Sequence, residues 1–450
     1  MIRATQPNNQ NKHPSHPAPI PPTASPSRGA AYDQTFWLTY LANTSLMVAI
    51  SLLFRYADFV THLGGDELNL GWIVGVGMVG SLLMRLWQGV GIDRYGPRQV
   101  WLLSLGLFVA SLAGHRWIAS IHGPEVYLLR ILFCISIAGA FGSSITYVSR
   151  KVPPQRMPEI IGMLGTSGFV GMAVGPGLGD LIFGAGPVQR IYLDRMFLVA
   201  SALGGLSMVS AWLATRGQFR PSTGRRPPAI ELLRRYHPGW MLLIGIAMGI
   251  GMAMPHTFLR TYTAELGISR MREFFYIYTL TAFTVRMATR RLPERIGPRP
   301  MILMGMTSLA TSMLAYLLVS SWWHLPIPAL LAGVAHAFLF PSMVGGGSTN
   351  FPARYRGLGT TLMLGSFDMG VLIGTPLIGG ILRYAGHFDL PPYPTMFVIV
   401  ATGLLTATGI YGLASRGQKW PVIVDETSTA PHVEVAGSEP AAVEIGERSI

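Results

Sequence analysis

The chain has 450 residues, of which 50% are hydrophobic and only 12% charged, with a mean hydropathy of +0.40. A soluble domain carries about a quarter charged residues, so the composition excludes an ordinary soluble enzyme and indicates a protein that crosses a membrane many times. The formal net charge of +13 lies in short basic clusters between apolar runs, which is a topology signal and not a nucleic-acid face. The single cysteine, Cys134, excludes an intrachain disulfide.

In chain order, residues 1–34 are rich in Pro, Ser and Asn and lack the apolar core of a cleavable signal, so they read as a disordered cytoplasmic tail. A helical span needs about 20 apolar residues. Twelve segments meet that requirement, at roughly 36–59, 69–91, 99–119, 124–149, 159–184, 195–215, 239–262, 271–290, 300–320, 326–348, 357–383 and 394–415. They divide six and six, predicting an all-α polytopic membrane protein with bundles over 35–215 and 239–416, joined by a basic cytoplasmic loop at 216–238. Residues 417–450 form an acidic tail that reads as solvated and disordered.

With both termini in the cytoplasm, the loops on that side hold most of the Lys and Arg, including the central cluster from Arg216 to Arg235. The ten tryptophans fall near segment ends or beyond them, as interfacial belts require. Ile230–Tyr236 reads either as a short amphipathic helix on an anionic inner leaflet or as a simple tether.

One polar joint organises the rest. Gly89–Arg98 reads Gly-Val-Gly-Ile-Asp-Arg-Tyr-Gly-Pro-Arg, and Gly96-Pro97 suits a sharp turn between two spans. The pattern recurs 201 positions later, where Glu294-Arg295-Ile296-Gly297-Pro298-Arg299 matches Asp93-Arg94-Tyr95-Gly96-Pro97-Arg98, and Arg286 falls on Arg85. That agreement predicts an internal repeat of the two halves.

Other patterns carry no chemistry. Gly75–Gly80 satisfies a dinucleotide fingerprint but lies inside a span with no preceding strand, so its glycines read as helix-packing positions. Asn43-Thr44-Ser45 is a glycosylation sequon inside the first span. With no Walker lysine motif, no HExxH and no paired cysteines, the sequence offers no support for a cofactor or a metal.

Twelve spans in two related halves, the basic central loop and the Gly89–Arg98 joint together resemble the major facilitator superfamily of secondary transporters. The joint is similar to that family's Gly-x-x-x-Asp-Arg-x-Gly-Arg-Arg signature, with Pro97 in place of the first arginine of the final pair. Gly171-Met172-Ala173-Val174-Gly175-Pro176-Gly177-Leu178-Gly179-Asp180 resembles the Gly-x-x-x-Gly-Pro-x-x-Gly-Gly motif of antiporter members, with Asp180 replacing the last glycine, and Gly374 and Pro376 answer it in the second half. Small residues at this spacing let helices touch and proline bends them, which predicts a hinged seam between the halves. The resemblance implies a cavity between two six-helix bundles that opens alternately to each side. It also implies a cytoplasmic gate at Gly89, Asp93, Arg94, Gly96 and Arg98 with Glu294, Arg295, Gly297 and Arg299, in which Asp93 meets helix 4 and the start of helix 11 near Gly357. Arg130 matches the arginine that efflux members carry in span 4, although Cys134 stands where they have glycine.

An ionisable group inside a span is by default a functional candidate. Asp368, about a dozen residues into span 11, is the foremost. It reads as a proton carrier or as a packing carboxylate. Arg130 is expected to face the cavity and pair with Asp180 or Asp58 or attract an anionic substrate, or to snorkel outward, while Arg55 and Arg260 are expected to snorkel. His336 and His256 read as proton relays or hydrogen-bonded packing residues, and Asn43 as a polar cavity group.

The resulting expectation is a monomeric inner- or plasma-membrane transporter that exports a small organic molecule in exchange for protons. A proton symporter for sugar or organic-acid uptake, and a transport-inactive sensor or scaffold, are the alternatives.

Overall fold

A computed structural model describes residues 32–152, 156–184, 186–216, 234–352 and 355–417, and of Pro158 and Glu294 the backbone alone. Nearly all of the N-terminal tail, most of the central loop with the start of its amphipathic segment, the Glu294 side chain and the acidic tail lie outside the described residues.

Among the described residues twelve long helices follow the twelve apolar segments, with no strand between them. They are α1 (Gln34–His62), α2 (Glu67–Tyr95), α3 (Pro97–Trp117), α4 (Pro124–Ser149), α5 (Met157–Phe183), α6 (Arg190–Ala214), α7 (Met241–Glu265), α8 (Arg272–Ala288), α9 (Pro298–Leu318), α10 (Pro326–Thr349), α11 (Arg356–Tyr384) and α12 (Pro392–Ala414). Eleven are long and apolar enough to cross a membrane. The exception is α8, whose 17 residues span only about 25 Å at ~1.5 Å per residue.

Local chemistry sets the helix ends. Asp33 caps α1 by accepting from Phe36 N at 2.8 Å, and Asp66 and Asn69 form a reciprocal capping box at α2. Proline opens α3, α4, α9, α10 and α12, where its missing N–H leaves no hydrogen bond unmade. The expected loop at Gly89–Arg98 is mostly helix: α2 runs to Tyr95 and Gly96 alone makes the turn, at φ 83°. Gly297 repeats it at φ 76°, between the short helix Leu292–Ile296 and α9. A side chain at either glycine would be strained.

The repeat extends to packing. In the first half α1 packs on α5 and α6, α4 on α2 and α3, and α3 on α6; in the second, α7 packs on α11 and α12, α10 on α8 and α9, and α9 on α12. The halves meet through α2 against α11 and through α5 against α8, which are equivalent pairs under the repeat. Their α1 and α7 also break at the same register. A 3₁₀ turn interrupts α1 at Leu53–Arg55, and a π turn interrupts α7 at Met254–Phe258, where Pro255 cannot donate to the helical ladder.

The outer surface is a belt of exposed aliphatic side chains such as Leu86, Leu103, Leu181 and Leu413, as lipid-facing helices need. Trp101 departs from the interfacial expectation, since it is fully buried against Tyr147. The glycines of Gly75–Gly80 are packing positions: a Cβ on Gly75 would lie 2.9 Å from Leu372 O and the Pro376 ring, and one on Gly80 2.3 Å from Ile131 O.

Candidate functional site between the two halves

The centre of the molecule is a carboxylate shared between the halves. Asp368, 5% exposed on α11, receives Ser81 Oγ at 2.6 Å and Arg85 Nε at 2.5 Å on the same Oδ2. Both donors come from α2. The contact is possible because small residues bring the two backbones together: a Cβ on Gly71 would lie 2.3 Å from Thr375 O, and one on Gly379 2.4 Å from Glu67 O. A buried carboxylate needs such partners, because leaving it charged and unpaired at this depth is costly.

The equivalent pair, α5 and α8, is arranged differently. Arg286, the repeat counterpart of Arg85, is partly exposed, and its guanidinium lies 5.9 Å from the Phe169 ring centroid. Among the described residues it makes no ion pair or hydrogen bond. Beside it stands Phe169 from α5, which meets the His336 ring of α10 edge-on at 5.8 Å; His336 in turn stacks on Phe340 at 5.4 Å. Tyr278 Oη and His336 Nδ1 share a 2.6 Å hydrogen bond, so the histidine ring is held in place. His256 is held similarly, donating from Nδ1 to Met252 O at 2.7 Å, beside Phe54 and Phe275.

We call the face carrying residues 32 and 417 the tail face and its opposite the far face. On the far face the two halves are bound by charge. Asp58 accepts from Arg55 at 2.8 Å and from Arg260 at 2.8 Å, joining the tips of α1 and α7. Asp180 takes Arg55 at 3.3 Å on one oxygen and the backbone N–H groups of Met271 and Arg272 at 3.2 Å on the other, capping the N-terminal end of α8. Asp66 and Arg383 pair at the edge of the α2–α11 contact.

These contacts correct several expectations. Arg55 and Arg260 do not snorkel; Arg55 is 2% exposed, because Asp58 and Asp180 give its guanidinium better partners than lipid headgroups could at that depth. Arg130 pairs with neither Asp58 nor Asp180. It is buried between the Tyr56 and Phe133 rings, each 4.7 Å away, with Nε and Nη1 lacking an acceptor among the described residues. Gly77 makes room for it, since a Cβ there would lie 2.6 Å from Arg130 Cγ. Asn43 is buried on α1, and its Oδ1 has no partner among the described residues.

The small-residue seam is only partly between the halves. Gly171, Gly175 and Gly179 press against Met47, Ser51 and Arg55 of α1, inside the first half, and Gly374 presses against Ile250 of α7, inside the second. Across the halves it is Pro376 that fills the notch at Gly75, and Gly177 that receives the Tyr276 hydroxyl.

At the tail face Arg150, at the end of α4, pairs with Asp93 at 3.4 Å, and Arg94 lies over the Tyr95 ring. Arg299 donates to Ser415 Oγ at 2.9 Å and to Gly412 O at 2.7 Å, tying α9 to α12. Arg295 lines a shallow surface pocket with Thr289 and Arg291. Gly89 and Gly357, in this half of α2 and α11, are exposed and have no atom within 4 Å of where a Cβ would sit, as is also true of Gly64 and Gly386 at the far face.

Arg85, Ser81 and Arg286 are candidate functional residues that the sequence reading does not single out. The signal for the two arginines was present in the repeat, which aligns them; Ser81 had none, because a serine in a span is ordinary.

Comparison with known proteins agrees with this architecture. The family model of the Major Facilitator Superfamily matches residues 35–327 and 274–435. Among curated relatives, a probable nitrate/nitrite antiporter of Thermus thermophilus is 27% identical over 287 residues, which are 59% of this chain and 62% of that protein. Multidrug resistance protein 2 of Bacillus subtilis is 22% identical over 77% of this chain and 87% of its own. Among solved structures, a POT family transporter superposes with a TM-score of 0.70 at 13% identity, covering 85% of this chain and 95% of that one. A bacterial homologue of the human lysosomal transporter Spinster, inward-facing and unoccupied, gives 0.64 at 15% identity over 87% and 98%. The chain is a multi-pass membrane protein and belongs to the Major Facilitator Superfamily, whose members are transporters.

Proposed function

We propose that this protein is a proton-coupled exporter of a small organic solute, acting as a monomer by alternating access, with the Ser81–Arg85–Asp368 cluster as its coupling site. The observation that carries the reading is a single mid-span carboxylate held by the opposite half of the molecule. A proton on Asp368 removes the charge that Arg85 opposes, so the pin between α2 and α11 weakens and the guanidinium becomes available to solute. Loss of the proton restores the pin. This links occupancy by a proton to the contact that must open.

With the basic loops in the cytoplasm, the tail face is cytoplasmic and the protein rests inward-facing, a reading supported by the ion pairs that join the two halves at the far face. The Asp93 joint and its repeat then act as the cytoplasmic gate of the opposite state. Export is supported by the glycine-proline motif of α5 and by the relative named for multidrug resistance.

The test is proton movement in proteoliposomes carrying an internal pH dye under an imposed gradient, challenged with nitrate, benzoate, tetracycline and ethidium. Wild-type protein is expected to move protons with at least one of these. Asp368→Asn, verified as folded by its elution volume, is expected to abolish that movement and to leave solute exchange in place. Coupling that survives Asp368→Asn removes this carboxylate from the mechanism, and acid-driven uptake in place of extrusion would make the protein a symporter.

A further inference from the structure

Resting on the transporter reading, we propose that the solute is a planar aromatic carboxylate, bound with its carboxylate on Arg286 and its ring against Phe169, His336 and Phe340. The argument begins with an imbalance in the repeat. Arg85 and Arg286 occupy equivalent positions, and the chain neutralises only the first. The position equivalent to Asp368 is Ser167, 2% exposed, whose hydroxyl is taken by Leu164 O at 2.6 Å. A guanidinium within a span is costly to leave without an anion, and among the described residues Arg286 has none. The free partner is therefore a ligand, and a single planar fork suits one carboxylate.

The surroundings choose its shape. The His336 and Phe340 rings are parallel within 18°, the Phe169 ring stands at 61° to His336, and Phe283 packs on Phe169 at 77°. His336 and Phe340 are partly exposed while Phe169 is buried behind them, so the α10 rings offer the accessible surface. Aromatic rings at such spacings favour another flat ring, stacked or edge-on, over a saturated one. An aromatic cation is disfavoured, because Arg286 repels it and the mid-span carboxylate of Asp368 is already engaged by Arg85 and Ser81.

Equilibrium binding to the purified full-length protein in detergent tests this with four probes: benzoate, cyclohexanecarboxylate, benzyl alcohol and nitrate. Benzoate is expected to bind saturably, about tenfold or more tighter than each of the other three, which lack the flat ring, the charge or the ring altogether. Arg286→Gln is expected to weaken benzoate about tenfold or more, with Arg286→Lys recovering part of the loss. Phe340→Leu keeps the charge and is expected to erase the preference for benzoate over cyclohexanecarboxylate. Equal binding of the two carboxylates, binding of nitrate alone, no binding of benzoate, or an Arg286→Gln protein that binds benzoate normally would each overturn the proposal. The two readings fail separately. Proton movement with another solute but no benzoate binding defeats the aromatic anion and leaves the exporter, whereas benzoate binding without any coupled proton movement defeats the coupling and leaves the site.

Discussion

The far face and the tail face are made by one repeated plan and are held by different chemistry. On the far face, α1 and α7 meet through Arg55, Asp58 and Arg260, α5 caps α8 through Asp180, and α2 touches α11 backbone to backbone from Glu67 to Gly75. On the tail face the described ion pair of the joint, Asp93 with Arg150, and the clamp of Arg299 on Ser415 and Gly412 both lie inside one half. Contacts within a half survive when the halves rock, and contacts between halves must break. On the alternating-access reading proposed above, the far face is the closed gate and the breaks at Leu53–Arg55 and Met254–Phe258 are the places where the tips bend.

Backbone hydrogen exchange at the two tips, Tyr56–His62 and Leu259–Glu265, reads the strength of that gate. The largest effect is expected from Asp58→Asn, which leaves Arg55 and Arg260 without their shared carboxylate; removing one partner of a buried pair costs about 3–5 kcal/mol, and exchange at both tips should quicken together. Unchanged exchange there would mean that packing, and not charge, closes the far face. Gly71→Leu comes next. A Cβ at that position would lie 2.3 Å from Thr375 O, so the α2–α11 contact must widen, at about 1–3 kcal/mol for overpacking, with faster exchange at the start of α2. If exchange there is unaffected, the backbone contact is not a barrier to opening. The smallest effect belongs to Arg383→Gln at the solvated rim, where both partners are partly exposed and the pair is worth within about 1 kcal/mol. A shift as large as that of Asp58→Asn would show that the rim, not the buried network, sets the gate.

Much of this is legible in the sequence. Apolar runs of span length determine helices in lipid, because every backbone polar group must be satisfied within its own segment. The repeat at 201 positions determined the two-half plan, and glycine followed by proline at 96–97 and 297–298 determined the two turns. Asp368 stood out for the simple reason that a carboxylate inside a span is expensive. What the sequence could not settle was which charges meet. Arg55 and Arg260 look like residues reaching for headgroups, and only the convergence of α1, α5 and α7 makes Asp58 and Asp180 their partners. Arg130, for which the sequence leaves a carboxylate partner, an anionic solute or the headgroups open, lies between two rings. Arg85 and Arg286 share a position in the repeat but not a fate, because that depends on whether the facing helix offers an acid or a serine. Spacing along one helix gives a residue's depth. Its partner is decided by the rotation and approach of other helices, and those are properties of the tertiary structure alone.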